Sequence, residues 1–148
     1  MTFPPFNDDG DLPTGIYPAS LADVLRYFGR GSSQRTAVSD RLARIHSLAH
    51  STGHLARFVV FGSFVTAKEE PEDVDIIMIM DDAFDLAAAT GEAAMVFDHM
   101  QADVHFGASV FWTRRISALG GEQAMIEHWQ IRREGGTRGI VEIVGELI

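Results

Sequence analysis

Two aspartates one residue apart, Asp73 and Asp75, open the apolar run Ile76-Ile77-Met78-Ile79-Met80, and nine residues separate them from a Gly62-Ser63 step that closes a second run, Phe58-Val59-Val60-Phe61. A β-strand alternates its side chains, so Asp73 and Asp75 project from one face and can reach the same hard cation. Ile76 to Met80 is apolar without alternation, which suits a strand buried on both faces and hence a rigid platform. Gly62 permits the dihedrals and close backbone approach that a bound phosphate requires. Ser63 offers a hydroxyl and an N–H to phosphate oxygens, or caps a following helix whose N-terminus favours anions. The chemistry implied is that of a phosphate-and-metal site.

A Walker-type phosphate loop is the obvious competitor, since Gly62 lies six residues before Lys68. It fails on residue types: Ala67 stands where the second glycine is needed and Glu69 where a Ser or Thr must ligate magnesium. Asp-x-Asp alone is also a common feature of solvated loop boundaries, and Glu69, Glu70, Glu72, Asp81 and Asp82 show that acids are frequent here. The weight rests on the pair joined to Gly-Ser between two strand-like runs.

Gly62-Ser63, the nine-residue spacer and Asp73-x-Asp75 resemble the signature of the DNA polymerase beta-like nucleotidyltransferase superfamily, most closely its small prokaryotic minimal members. The wider wording from Gly62 to Asp75, with Trp129-Gln130 and Arg138-Gly139-Ile140-Val141-Glu142-Ile143, is similar to an uncharacterised bacterial family within that superfamily. The resemblance implies an α/β fold, a small mixed β-sheet covered by helices. It implies a Gly-Ser turn holding a nucleoside triphosphate, Asp73 and Asp75 holding one or two Mg²⁺ (or Mn²⁺) ions about 3.5 to 4 Å apart when both are present, and a third carboxylate on a later strand. Asp103, in Ala102-Asp103-Val104-His105-Phe106, is the candidate for that third ligand and catalytic group. His105, two residues on, is its alternative as ligand or base. Lys68, the chain's only lysine, falls in the spacer where it could neutralise a phosphate.

The activity expected is transfer of a nucleotide monophosphate from a triphosphate to a hydroxyl on a protein, a tRNA or a small molecule. Minimal members often work beside a helical partner in toxin–antitoxin pairs, so the resemblance also implies a protein partner or a homodimer. The competing expectation is a degenerate, non-enzymatic binding module whose sheet edge at Gly139 to Val144 recruits another chain by strand addition.

With 148 residues and 46% hydrophobic content the chain can bury one sizeable core, so a single domain is expected over 1–148. It has no cysteine, which excludes disulfides, thiol catalysis and cysteine zinc sites. A net charge of −9 argues against an extended footprint on DNA or RNA, whose binding draws on many Lys and Arg contacts to phosphate. No apolar stretch approaches the roughly 20 residues of a membrane helix, and Met1 to Pro5 does not read as a signal peptide, so a cytoplasmic location is expected.

The elements that must position the site follow from spacing. Gly10, Pro13, Gly15 and Pro18 mark an irregular leader over 1–19. Ser20 caps a helix over Leu21 to Phe28, and a second helix is expected from Gln34 to Ser51 with Val38, Leu42 and Ile45 on one stripe. His46 and His50 share a face of that helix at zinc-ligand spacing, although nothing nearby completes a tetrahedron. Asp82 is expected to cap a helix from Ala83 towards Met100, weakened at Gly91. Val104 to Thr113 reads as a third strand, Gln123 to Arg132 as a helix, Gly135-Gly136 as a turn and Gly139 to Val144 as a last strand. Arg114-Arg115 and Arg132-Arg133 read as solvated ends of elements, and Arg138 as the arginine that meets a phosphate or a partner acid.

Overall fold

A computed structural model describes residues 3–145. Among them the elements run β1 (Ile16–Ala19), α1 (Leu21–Phe28), α2 (Ser33–Ser51), β2 (Leu55–Phe61), β3 (Val74–Met80), α3 (Gly91–Val96), α4 (His99–Phe106), β4 (Ala108–Arg114), α5 (Glu122–His128) and β5 (Ile140–Ile143). The strands form one mixed sheet in the order β1-β5-β2-β3-β4. β1 and β5 are parallel, β2 is antiparallel to both β5 and β3, and β3 and β4 are parallel through the α3–α4 crossover. No helix among the described residues is long and apolar enough to cross a membrane.

Side-chain alternation splits the sheet into two unequal cores. Phe58 and Val60 of β2, Ile76, Met78 and Met80 of β3, and Val110 of β4 meet Val24 and Phe28 of α1, Val38, Leu42 and Ile45 of α2, and Ala102 and Phe106 of α4. On the opposite face Val59, Ile77, Ile79 and Ile140 pack on Ile126 of α5, with Phe61, Phe111 and Trp129 half-buried at one end. Ile76 to Met80 are therefore all buried because helices lie on both sides, each such side chain contributing roughly 1.5–3 kcal/mol. Asp75 shares the parity of Ile77 and Ile79, so the acids project towards the thinner, α5-covered side.

The helix starts are set by caps. The Ser20 hydroxyl accepts from Asp23 N–H and the Ser32 hydroxyl from Arg35 N–H, which begins α2 one residue before the expected Gln34. The leader is less irregular than expected, because Ile16–Ala19 pairs in register with Ile140–Ile143.

Three expectations are corrected. The long helix from Ala83 to Met100 is a 3-10 turn at Leu86–Ala88 followed by two short helices, because Asp98 breaks the run and caps α4 by accepting from Gln101 N–H. Asp82 instead accepts a hydrogen bond from Ile116 N–H, 2.8 Å away. The strand expected from Val104 starts only at Ala108: α4 continues to Phe106 and ends at Gly107, whose left-handed backbone (φ 63°, ψ 42°) stops the helix. Finally, β5 is interior, hydrogen-bonded on both sides by β1 and β2, so its backbone is not available for strand addition.

Candidate functional site

The ends of β2, β3 and β4 open into a cleft of about 520 Å³. Register builds its floor. Phe61 pairs with Asp75 across β2 and β3, and Asp75 pairs with Ser109 across β3 and β4, so Gly62 lies beside the carboxylate pair on one side and Ser109 on the other. Gly62 adopts φ 78° and ψ −163°, a conformation essentially confined to glycine. A methyl group there would sit 1.9 Å from Asp75 Oδ2. The glycine is thus required twice, by its backbone and by the acid it accommodates. Ser63 does not cap an α-helix; it begins a 3-10 turn over Ser63–Val65 without a side-chain cap, and it lines the cleft.

Burial, reinforced by the neighbouring Asp73 charge, pushes the Asp75 carboxyl up to about 6. The Ser109 hydroxyl and the charges of Arg133 and Arg138 offset part of that rise. Ser109 Oγ also makes a long hydrogen bond to Asp73 Oδ2, 3.5 Å away. The acids are therefore short of positive charge, the condition a divalent cation relieves.

The segment after Ser63 is held from behind by Arg35, a buried guanidinium on α2. It donates to the carbonyls of Phe28 (2.9 Å), Phe64 (2.8 Å), Thr66 (2.6 Å) and Lys68 (3.1 Å). Burial alone lowers its pKa. Lys68 itself is exposed, outside the cleft lining, and contributes a carbonyl to Arg35 rather than an ammonium to the site.

Asp103 stands on α4, exposed, its carbonyl accepting from Gly107 N–H, and not on the strand beside Asp75. His105 lies on the same helix with Nε2 3.0 Å from Glu92 Oε2. Neither lines the cleft. The misplacement has a physical cause: α4 leaves Met100 and Val104 in solvent, so its apolar residues mimic strand alternation rather than a helical stripe. The position on β4 opposite Asp75 belongs to Ser109, and among the described residues no group of three or more His, Cys, Asp or Glu gathers for a metal.

Of the remaining walls the sequence singles out only Arg138; Trp129 enters through the resemblance alone and Arg132-Arg133 read as solvated. One is aromatic: Trp129 packs on Phe61 (centroids 4.7 Å apart) and Phe111 (5.0 Å), and His99 lies against Phe111 (4.8 Å). Trp129 Nε1 is buried here with no hydrogen-bond partner among the described residues. The other wall is basic, formed by Arg132, Arg133 and Arg138 with Glu134. Arg138 meets an acid, as its position suggested: Asp11 of the leader, at 3.5 Å. The alternation Ser109-x-Phe111 is the signal that could have placed β4 correctly.

A larger hollow of about 880 Å³ lies between α1, α2 and the ends of β2 and β5. His46 and His50 border it with stacked rings 6.1 Å apart, and burial of His46 followed by the His50 charge lowers the His46 pKa. His46 packs edge-on against Phe58, so its ring serves packing, while His50 is exposed. The hollow's arginine and acid, Arg57 and Glu142, are spent on each other, with Nη2 to Oε1 at 2.7 Å.

The sequence model of a family of unknown function, DUF6932, matches residues 4–144, and the chain belongs to that family. No curated protein and no solved structure matches it.

Proposed function

We propose that this member of the DUF6932 family binds a nucleoside triphosphate with a divalent cation, Mg²⁺ or Mn²⁺, in the β2–β3–β4 cleft and transfers its nucleotidyl group to an acceptor hydroxyl. The observation that carries the proposal is the register that sets Gly62-Ser63 against Asp73 and Asp75, with a glycine whose missing side chain is what makes room for Asp75. The donor set suits a hard cation: two carboxylates, one of them half-buried and proton-hungry, beside a hydroxyl. Asp73 and Asp75 would hold the ion, which when bound supplies charge neutralisation and Lewis acidity to phosphate oxygens.

The chain's own residues account for the rest. Gly62 lets backbone approach a phosphate, and Ser63, which lines the same cleft, has a hydroxyl and an N–H to offer it. Phe61, Phe111 and Trp129, packed together beside Gly62 and Ser109, give an aromatic wall suited to a planar base. The half-buried aromatic wall also excludes water from one side of the phosphates, which strengthens every charge interaction within the cleft.

Ser109 favours a second reading. A hydroxyl stands at the strand position where the nucleotidyltransferase resemblance calls for a third carboxylate, which suits a chain that binds nucleotide without turning it over and acts through a protein partner, as in a toxin–antitoxin pair. One experiment separates the two. Thermal shifts are measured with ATP, GTP, CTP and UTP, with and without Mg²⁺, for the native chain and for Asp73→Asn/Asp75→Asn, each protein against its own ligand-free state. A nucleotide at about 100 times its dissociation constant adds roughly 2.7 kcal/mol to the folded state. The expected result is a magnesium-dependent upshift in the native chain alone, followed by incorporation of α-labelled nucleotide into an acceptor. An upshift with no incorporation selects the binding module; no upshift with any nucleotide rejects both.

A further inference from the structure

Residues 130–138 form a small hairpin at the mouth of the cleft. Ile131 and Thr137 pair as an antiparallel bridge, Arg132 N–H donates to Gly136 O (3.0 Å) and Gly135 N–H to Arg132 O (3.2 Å). Gly135 and Gly136 have φ of 104° and 73°, which closes the turn. Its base is tied to the leader through Gly139 N–H to Leu12 O (2.8 Å) and the Thr14–Thr137 hydroxyl pair (2.7 Å).

Asp11 is the anchor of this hairpin. It is a charged side chain only 4% exposed, and its two oxygens reach Arg132 Nη1 (3.2 Å) and Arg138 Nη1 (3.5 Å). Glu134 takes the remaining edge of Arg132, with Nε to Oε2 at 3.3 Å. Two of the three arginines are thereby neutralised and fixed by the protein itself. Arg133, between them at the hairpin tip, pairs with no acid among the described residues, and it lines the same cleft as Asp73 and Asp75. A guanidinium without a partner, on a rigid hairpin facing a carboxylate pair, is suited to forked hydrogen bonding to phosphate oxygens.

We propose that the 130–138 hairpin is an oligophosphate-binding wall in which Arg133 grips the phosphates, while Asp11 holds Arg132 and Arg138 as its frame. The ligand chemistry is a chain of phosphates, supplied by a nucleotide or by inorganic oligophosphate. The proposal rests on the nucleotide reading only for the opposite wall: Asp73 and Asp75 receive the cation that accompanies the phosphates, and Arg133 receives the phosphates.

The test is calorimetric titration of the full-length chain with inorganic tripolyphosphate and, in parallel, ATP. Asp73→Asn/Asp75→Asn removes the acids that repel a metal-free anion, so this variant is expected to bind tripolyphosphate without magnesium. Adding Arg133→Gln, a change at an exposed residue, is expected to weaken that binding tenfold or more, and Arg133→Lys to restore part of it. Unchanged tripolyphosphate affinity on Arg133→Gln overturns the proposal. ATP losing affinity alongside tripolyphosphate supports the wall as a nucleotide site; tripolyphosphate alone responding supports it as an inorganic oligophosphate site. The two readings fail separately. An Arg133-dependent affinity for tripolyphosphate in a chain that binds no nucleotide keeps this wall and rejects nucleotidyl transfer. Nucleotide binding that needs Asp73 and Asp75 but ignores Arg133 does the reverse.

Discussion

Asp75→Asn is expected to stabilise the ligand-free protein at pH 8 and to leave it nearly unchanged at pH 4. Folding raises the carboxyl from its ordinary 3.8 to about 6, first by burial and then by the Asp73 charge. A folded-state pKa above the unfolded one means the native state prefers the protonated acid. The group therefore does not disfavour folding below about pH 3.8, weakens the fold as pH rises from there to about 6, and remains a fixed penalty above that. At about 1.4 kcal/mol per tenfold in proton affinity the penalty is at most about 3 kcal/mol, and solvent at the cleft mouth brings it nearer 1.5–3. Asparagine keeps the shape and discards the charge, so at pH 8 the melting temperature should rise by roughly 4 to 10 °C for a chain of this size. Mg²⁺ should raise the melting temperature of the native chain at pH 8 and not that of the variant. Thermal unfolding by circular dichroism across pH 4 to 8 reads all of this. A variant that melts lower at pH 8, or whose shift is the same at every pH, would refute the premise that Asp75 is held against its own charge.

Two further perturbations probe the parts that hold the acids in place. Gly62→Ala forces a methyl onto Asp75 and leaves a glycine-only conformation, so urea unfolding should show a loss of about 1–3 kcal/mol together with loss of the magnesium-dependent thermal shift. Arg35→Met strands the carbonyls of Phe28, Phe64, Thr66 and Lys68, and should cost roughly 3–5 kcal/mol; Arg35→Lys should recover little, because one ammonium cannot serve the directions a guanidinium does. Near-native stability in Arg35→Met would mean that the segment after Ser63 holds itself.

What could be read from sequence was local. Ser20 ends its loop with a hydroxyl that caps, and the stripe of Val38, Leu42 and Ile45 recurs at helical spacing, so α1 was legible to the residue and α2 to within one at its start. The uninterrupted Ile76 to Met80 run announced a strand buried on both faces, and the spacing of Gly62-Ser63 from Asp73-x-Asp75 pointed to one site, while the register that sets Gly62 beside Asp75 is visible only in the fold. The rest depends on contacts far apart in the chain. Nothing in the composition of α4 separates a short helix with Val104 in solvent from a strand, because its burial is set by Ala102 and Phe106 alone, and Asp103 was misplaced with it. Whether β5 is an edge depends on Ile16–Ala19 coming back beside it, a pairing across more than a hundred residues. Arg132-Arg133 looked like a solvated pair since Asp11, which turns one of them into a fixed frame, lies in a Gly- and Pro-rich leader with no pattern of its own.

Each wall of the cleft carries unbalanced charge, Asp73 and Asp75 on one side and Arg133 on the other. The Arg133 charge offsets only part of the rise in the Asp75 pKa, and Asp11 and Glu134 are spent on Arg132 and Arg138. A cation alone would relieve the acids and leave Arg133 unanswered; an anion alone would satisfy Arg133 and meet repulsion from Asp73 and Asp75. A ligand that improves both must present positive charge to one side and negative charge to the other within about 520 Å³. A metal-bound oligophosphate has that distribution, and the aromatic wall beside it gives a base somewhere to lie. The proposed reading gives Ser109 a consequence: with a hydroxyl rather than a third carboxylate facing Asp75, the acid wall carries two negative charges instead of three, so a cation bound there would depend more heavily on phosphates gripped by Arg133. Cation and oligophosphate should therefore bind cooperatively, each weakly when alone.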